Sequence, residues 1–395
     1  MLTPSEKYKF YKSQFLLDKR VTFLNHGSFG ACPVPVFRTY QKFQRILEKQ
    51  PIAFLDRNYD PMMNHARHIL EDYLNAGRDT LFFTPNVTTS LNIVAASLEL
   101  GAGDEILTSD LEYGACDRMW EFYSAQRGFT YRKVKTTLPL SRFAEDFIRE
   151  IKSNTKVIFL SHITSGTAVM LPVKEIIAEA RKRGILTVID GAHAPGQIDL
   201  SLSELGADLY GGNCHKWLMA PKGAAFLYQN PACTVKLSPL IISWGNTNKD
   251  SAGSYNIDEF QYQGTRDISP CLSVPEAVKY NKRMKKDGVR DYCREMIIYS
   301  AALLKEENGL EPFDQSHTEA QLQMLAFRLP GIDGAALKKD LYDKFRIEIP
   351  VNRYNGDFLL RISFQCYNRK EDIRRLSKAL KSLSVTGTKQ FNAGS

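Results

Sequence analysis

The chain has few cysteines, and none lies close to another. They are odd in number, seven, and no two of them form a C-x-x-C pair. This spacing argues against a disulfide framework or a zinc cage and favours a reducing compartment. We therefore expect no metal site. The seven cysteines are Cys32, Cys116, Cys214, Cys233, Cys271, Cys293 and Cys366.

Long apolar runs are also missing. The N-terminal stretch MLTPSEKYKFYKSQF has no apolar signal-peptide core, and no run elsewhere reaches membrane-spanning length. The net charge of +8 comes from scattered basic residues, without the basic stripe interleaved with aromatics that nucleic-acid surfaces show. We expect a cytoplasmic protein that binds neither a membrane nor nucleic acid.

The middle of the chain alternates apolar runs with amphipathic helices. The chain is 395 residues long, with 43% hydrophobic and 24% charged residues, which suits a globular protein of two domains. The alternation predicts an α/β fold with a mostly parallel sheet between helices. The predicted strands are Leu81–Thr84, Glu105–Thr108, Thr130–Lys135, Val157–Ser161, Leu186–Asp190, Leu209–Gly211 and Ala224–Tyr228.

The pattern changes after about residue 270. A long helical region is followed by runs that predict a smaller α+β domain. These runs are Leu322–Leu329, a helix at Gly334–Lys344, strands at Ile347–Pro350 and Phe358–Phe364, and a helix at Asp372–Leu383. Between the two regions, the polar stretch Asn246–Ser254 is either an active-site loop or a long connection.

An acid and a lysine follow two neighbouring predicted strands. Asp190 ends a buried-strand pattern, and Lys216 follows the next strand among apolar neighbours. Ligands of open α/β sheets bind at the carboxyl ends of the strands. A pyridoxal phosphate enzyme needs such a pair, because the lysine forms a Schiff base and the acid keeps the pyridine nitrogen protonated. A turn aspartate and a surface lysine are the competing interpretation.

Two further segments suit a cofactor. The stretch Thr84–Ser90 opens a predicted helix with hydroxyl side chains, and a helix N-terminus attracts a phosphate. Ordinary capping explains those residues equally well. Tyr113 follows another strand and could stack on a cofactor ring, or could belong to the core.

Taken in order, these motifs resemble the class V aminotransferase family of fold-type I pyridoxal phosphate enzymes. Leu24-Asn-His-Gly-Ser-Phe-Gly30 and Asp190–Gln197 are more similar to the isopenicillin N epimerase subgroup than to the cysteine desulfurases. The resemblance runs from about residue 20 to about residue 385. It implies a large cofactor-binding domain of residues 20–265 with a seven-stranded sheet, and a small domain of residues 1–19 and 266–395.

The resemblance also implies a role for each matching residue. Lys216 would form the Schiff base, Asp190 would pair with the pyridine nitrogen, and Tyr113 would stack on the ring. His193 would lie near the phenolic oxygen of the cofactor. The phosphate would be held by Val87, Thr88, Asn213 and His215, and by Gly264 and Thr265 of a neighbouring subunit, which implies a homodimer. Arg361 would bind the α-carboxylate of an amino-acid substrate, with Asn25 and His26 beside it.

The segment Pro350–Asp357 contains no cysteine where the desulfurases carry their sulfur acceptor, which argues against persulfide chemistry.

We expect a pyridoxal phosphate enzyme acting at Cα of an amino acid or conjugate, first of all an epimerase, with Tyr113 or His26 as a second proton donor. The alternatives are a C–S lyase, an aminotransferase, or a protein that binds pyridoxal phosphate or another phosphorylated ligand without turnover.

Overall fold

A computed structural model describes residues 4–246, 257–314 and 322–383, with side chains from residue 8 onward. All but Asn246 of the polar stretch Asn246–Ser254 lies outside these ranges. No helix in the described ranges is long and apolar enough to cross a membrane.

A seven-stranded sheet forms the centre of the molecule, as the alternation predicted. Its strands are β2 Leu81–Thr84, β3 Glu105–Ser109, β4 Thr130–Val134, β5 Thr155–Ser161, β6 Leu186–Asp190, β7 Leu209–Asn213 and β8 Ala225–Gln229. They lie in the order β2-β8-β7-β6-β5-β3-β4. All neighbouring pairs are parallel except those of β8, which runs antiparallel to β2 and β7.

Each central strand buries both of its faces, which is why these strands read as continuous apolar runs. In β5, Val157 and Phe159 pack into one hydrophobic cluster, while Ile158 and Leu160 pack into the other. The period of two places alternate side chains on opposite faces of the sheet. Helices therefore have to cover both sides.

Fifteen α-helices are assigned within the described ranges. Four of them precede the central sheet: α1 Pro4–Ser13, α2 His26–Phe29, α3 Val34–Lys49 and α4 Tyr59–Tyr73. Five lie between the strands of that sheet: α5 Val87–Ser97, α6 Gly114–Arg127, α7 Phe143–Arg149, α8 Val173–Lys182 and α9 Leu202–Leu205. Those after it are α10 Ile257–Gln261, α11 Ser269–Leu272, α12 Val274–Lys286, α13 Val289–Asn308, α14 Gly334–Phe345 and α15 Lys370–Ser382.

The C-terminal region forms a second, antiparallel sheet. Its strands, β9 Met324–Leu329, β11 Val351–Tyr354 and β12 Asp357–Ser363, lie in the order β11-β12-β9. Strand β11 was not among the predicted strands, which stopped at Pro350 and resumed at Phe358. The missed signal was Asn355-Gly356, because two residues with φ of 47° and 91° suit a tight hairpin turn.

The N-terminal segment packs against this region. Strand β1, Thr22–Phe23, pairs in parallel with β10, Ile347–Glu348, and Asn25 bridges to Ser363 at the end of β12. This pairing carries residues 25–30 toward the carboxyl ends of the large sheet. The division into domains 20–265 and 1–19 plus 266–395 stays a prediction.

Candidate active site

The carboxyl ends of the parallel strands meet at a cavity of about 600 Å³, a volume that includes the open solvent at its mouth. Its lining includes eight residues that the sequence predicted as site residues: Val87, Thr88, Tyr113, Asp190, His193, Asn213, His215 and Lys216.

Asp190 is the last residue of β6, between β5 and β7, so the sheet fixes its backbone. Its side chain is buried, accepting a hydrogen bond from the Ala192 amide at 2.8 Å, and the Cys116 thiol lies 3.6 Å from its second oxygen. Burial raises the pKa of the carboxyl, and the Ala192 amide and Lys216 oppose that shift. A cation in the cavity would favour the ionised form further.

Lys216 follows β7 and turns its partly buried side chain toward Asp190 and His193. Its Nζ lies 2.9 Å from Nε2 of His193. Burial lowers the pKa of the Lys216 ammonium to about 8, with the charge of Asp190 as the largest opposing effect. An amine of this kind is partly neutral near pH 8 and can act as a nucleophile.

A second corner of the cavity suits a phosphate. Helix α5 begins there, with Asn86 as its N-cap, and Asn213 accepts a hydrogen bond from the Val87 amide at 3.1 Å. Nδ1 of His215 is buried there without a hydrogen-bond partner in the described structure. An orphaned polar atom beside a helix N-terminus is what a bound phosphate would satisfy. The residues therefore fit pyridoxal phosphate, with the phosphate at this corner and the reacting aldehyde toward Lys216.

Two aromatic side chains stand at the opening. Tyr113 precedes α6 and is 48% exposed, and Phe29 is 71% exposed. Both line the cavity, so Tyr113 could cover a ring bound inside it. Phe29 was not predicted as a site residue, since nothing in its local sequence distinguishes it from a core phenylalanine.

Arg361 lies on β12 and does not line the cavity itself. Its guanidinium donates hydrogen bonds to Ser28 Oγ at 3.0 Å and to Ser165 Oγ at 3.3 Å, and both serines do line the cavity. Arg361 is only 2% exposed, and no carboxylate in the described ranges lies within ion-pairing distance of it. Burial lowers the pKa of its guanidinium to about 10. A buried cation without a carboxylate partner is poised for an anionic ligand.

The structure places Asn25 and His26 behind the cavity wall. Asn25 accepts a 3.4 Å hydrogen bond from Arg361 and donates one to Glu348. The His26 ring is fully buried and contacts Tyr367 and the carbonyl of Lys216. A direct contact of either residue with substrate stays a prediction.

Gly264 and Thr265 lie outside this cavity. Thr265 is exposed, and Gly264, with φ of 90°, has open space where a Cβ would stand. Their predicted place in the site of a neighbouring subunit stays a prediction. Cys366, which follows the Arg361 strand, is buried in the core.

Sequence reasoning missed several polar residues around Asp190. Cys116 is the third residue of α6, and Ser161 lies beside Asp190 on the neighbouring strand β5. Glu112, next to Tyr113, is partly buried and accepts hydrogen bonds from Ser109 and Ser161, and burial of its carboxyl raises its pKa to about 8. The sequence signal that could have identified it was its position three residues after the end of β3.

Comparisons with known proteins define the class. The profile of the family described as aminotransferase class-V matches residues 53–376, which is more than half of the chain. The chain therefore belongs to this family, whose members are pyridoxal phosphate enzymes, and the predicted family, fold class and cofactor are confirmed.

Two curated relatives and one solved structure narrow the resemblance. Isopenicillin N epimerase of Amycolatopsis lactamdurans is 38% identical, over 94% of this chain and 98% of its own length. Hercynylcysteine sulfoxide lyase of Schizosaccharomyces pombe is 23% identical, over 94% of this chain and 96% of its own. The cystine C–S lyase C-DES, solved with cysteine persulfide, shares the fold with a TM-score of 0.80 at 23% identity, covering 92% of this chain and 97% of that one.

Proposed function

We infer that this chain is a pyridoxal phosphate-dependent enzyme that acts at the α-carbon of an amino acid or amino-acid conjugate, as an epimerase. One observation carries this proposal: the amine of Lys216 lies 2.9 Å from His193 inside a cavity that also holds Asp190 and the phosphate corner. Bound there, pyridoxal phosphate would supply a conjugated ring that takes up the electron pair left at the substrate carbon.

The chain's own residues divide the remaining work. Lys216 would hold the cofactor through its Nζ, and the same atom, when free, would accept the α-proton of the substrate. Asp190, at the end of β6, would favour positive charge at the pyridine nitrogen. The cavity lining also includes Ile163, Phe29 and Tyr113, whose apolar surface would help to exclude water from the reacting atoms once the site is filled.

Epimerisation also needs a proton donor on the face opposite Lys216. We propose Tyr113 for this role, because it lines the cavity whereas the His26 ring is buried behind the wall. The relative at 38% identity, an isopenicillin N epimerase, supports this reaction type.

C–S β-elimination is the second candidate function. It is supported by the sulfoxide lyase relative, and Lys216 alone could remove the α-proton and then protonate the product. Persulfide transfer has no support, because Pro350–Asp357 contains no cysteine and Cys366 is buried.

The cofactor site can be tested with the full-length protein. Borohydride reduction of the loaded protein should join the cofactor covalently to Lys216, read as a mass increase on the peptide that contains it. Lys216→Ala should abolish the increase and the visible absorbance, while the surface variant Lys174→Ala should keep both. Labelling of another lysine would contradict the assignment.

The reaction type can be tested in heavy water with amino acids, cysteine conjugates and peptide-bearing amino acids. Deuterium at Cα together with inversion indicates epimerisation, and release of pyruvate with a sulfur compound indicates lysis. Formation of a keto acid that retains the side chain would replace both proposals by transamination. Tyr113→Phe should suppress inversion more than exchange at Cα.

We also propose that Arg361 binds the substrate α-carboxylate by displacing the Ser28 and Ser165 contacts. Arg361→Lys loses the bidentate geometry, so KM should rise about ten- to hundredfold, the equivalent of one or two charge-assisted hydrogen bonds. Cofactor affinity should change little. Arg328→Lys on the neighbouring strand β9 is the matched control, and equal loss of substrate and cofactor binding by Arg361→Lys would indicate a structural role.

A homodimer is the last part of the proposal. Gly264 and Thr265 match the segment by which a neighbouring subunit completes the phosphate site in this family, and both lie outside the cavity of their own chain.

A further inference from the structure

Two imidazole rings contact Lys216: one contacts its side-chain amine and the other its backbone carbonyl. Nε2 of His193 lies 2.9 Å from the amine, and Nε2 of His26 lies 3.1 Å from the backbone carbonyl oxygen. The other ring nitrogen, Nδ1, of each histidine contacts an aromatic side chain. His193 Nδ1 accepts from the Trp217 indole at 3.2 Å, and His26 Nδ1 lies 2.8 Å from the Tyr367 hydroxyl.

The indole decides where the proton of His193 sits. A tryptophan N–H can only donate, so Nδ1 of His193 has to accept, and a neutral ring then carries its proton on Nε2. Burial of the ring lowers the pKa of His193 well below its ordinary value, so the ring is neutral. The Nε2–H group therefore points at the Lys216 amine and has to donate to it.

Only a neutral amine can accept that hydrogen bond. An ammonium group has three donors and no acceptor, so a protonated Lys216 would bring two donors to 2.9 Å from each other. We propose that Trp217 is a positioning residue: it fixes His193 as the Nε2–H tautomer, and His193 in turn favours Lys216 as the free amine. The catalytic meaning of this network depends on the proposed function, in which the amine attaches the cofactor.

Other charges also face Lys216. Asp190 and Cys116 favour the ammonium, and Arg361 disfavours it. His193 in turn faces His215, His26 and Arg361 besides Lys216. The hydrogen bond of the indole N–H goes to His193 and not to any of these other groups, so a changed titration of Lys216 would report the His193 tautomer.

The other arm provides a matched control. The Lys216 carbonyl can only accept, so His26 donates to it through Nε2–H and accepts from Tyr367 through Nδ1. Tyr367→Phe therefore removes a buried donor to a histidine beside Lys216, as Trp217→Phe does, but on the arm that contacts only the backbone. It should leave the amine unchanged.

The tautomer can be read directly in the unmodified protein. Nitrogen-15 NMR of the full-length chain, labelled at histidine and freed of cofactor, distinguishes a protonated from an unprotonated ring nitrogen. His193, assigned by the loss of its signals in His193→Gln, should carry its proton on Nε2. A proton on Nδ1, or a charged ring at pH 7, would overturn the proposal without any Trp217 variant.

The effect on the amine is tested by the pH dependence of Lys216 acylation, followed by mass spectrometry. In Trp217→Phe, His193 gains access to the other tautomer, whose Nε2 can accept a hydrogen bond from the Lys216 ammonium. The pH midpoint of Lys216 acylation should therefore rise by about one unit, which is a tenfold change in the protonation equilibrium of the amine. Tyr367→Phe should not shift it. An unchanged midpoint in Trp217→Phe, or equal shifts in both variants, would overturn the proposal.

His193→Gln supplies the second test, because a glutamine amide donates from a similar position and has no tautomers. Adding Trp217→Phe to His193→Gln should produce no further shift of the midpoint. The same shift as in the wild-type background would mean that the indole acts by packing. None of these measurements uses the cofactor, so their failure is distinguishable from failure of the borohydride labelling of Lys216.

Discussion

At the scale of residues, the cavity and the layer of side chains behind it contain ionisable groups that are costly to bury. Asp190 and Arg361 are at most 4% exposed, and neither makes an ion pair within the described ranges. Water would solvate these charges better than protein does. Such unpaired groups, with shifted pKa values, are typical of functional sites.

The opposing influences on Lys216 give a prediction. Burial lowers the pKa of its ammonium to about 8, and the negative charge of Asp190 is the strongest effect in the other direction. Asp190→Asn keeps the size of the side chain and removes that charge, so the pKa of Lys216 should fall further in the cofactor-free protein. The acylation midpoint of Lys216 should move to lower pH.

Glu175→Gln, a substitution of a surface acid on α8, is the control and should leave the midpoint in place. A higher midpoint in Asp190→Asn would show that the carboxyl does not act on Lys216 through its charge.

At the scale of elements, the N-terminal segment packs closely against the loop that carries Lys216. Gly30 follows α2 with φ of 68°, and a Cβ on it would lie 2.1 Å from the His215 carbonyl oxygen. The Lys222 amine also donates to the Gly30 carbonyl at 3.0 Å. Only glycine allows the two backbone segments to approach this closely.

Gly30→Ala should therefore be far more harmful than an ordinary glycine substitution. Gly331 is the matched control, because its φ of 66° is similar and a Cβ there has open space around it. Gly331→Ala should lose about 1 kcal/mol of unfolding free energy from the left-handed backbone alone. Gly30→Ala should lose more and also bind pyridoxal phosphate less tightly, measured by denaturant unfolding and by titration of absorbance. Equal losses would mean that the collision is relieved at little cost.

At the scale of the whole molecule, the predicted homodimer has a functional consequence. If Thr265 completes the neighbour's phosphate site, Thr265→Asp in one subunit should inactivate the other subunit's site, because a carboxylate repels a phosphate.

Mixed dimers test this arrangement. A dimer of one Lys216→Ala chain and one Thr265→Asp chain combines both defects in one site and leaves the second site intact, so it should recover about half of the wild-type activity. Each variant alone should be inactive. Absence of recovery in purified mixed dimers would contradict a shared site.

Much of the fold and site could be read from the sequence. The strands of the large sheet were predicted within a few residues, because buried parallel strands show continuous apolar runs between amphipathic helices. Strand β11 was missed, since its residues are only partly buried and give no such run. Cys116, Ser28 and Ser165 were missed because their contacts are with residues far away in the chain.

The sequence by itself determined the family, the central sheet and the placing of Asp190 and Lys216 at strand ends, because these follow from local patterns and ordered motifs. Only the tertiary structure decided how the lysine is held. Trp217 is the next residue in the chain, yet its indole contacts His193 rather than Lys216, and Arg361 is covered by serines of two distant segments. Hydrogen-bond direction depends on which donors and acceptors meet in space, and spacing along the chain does not specify that.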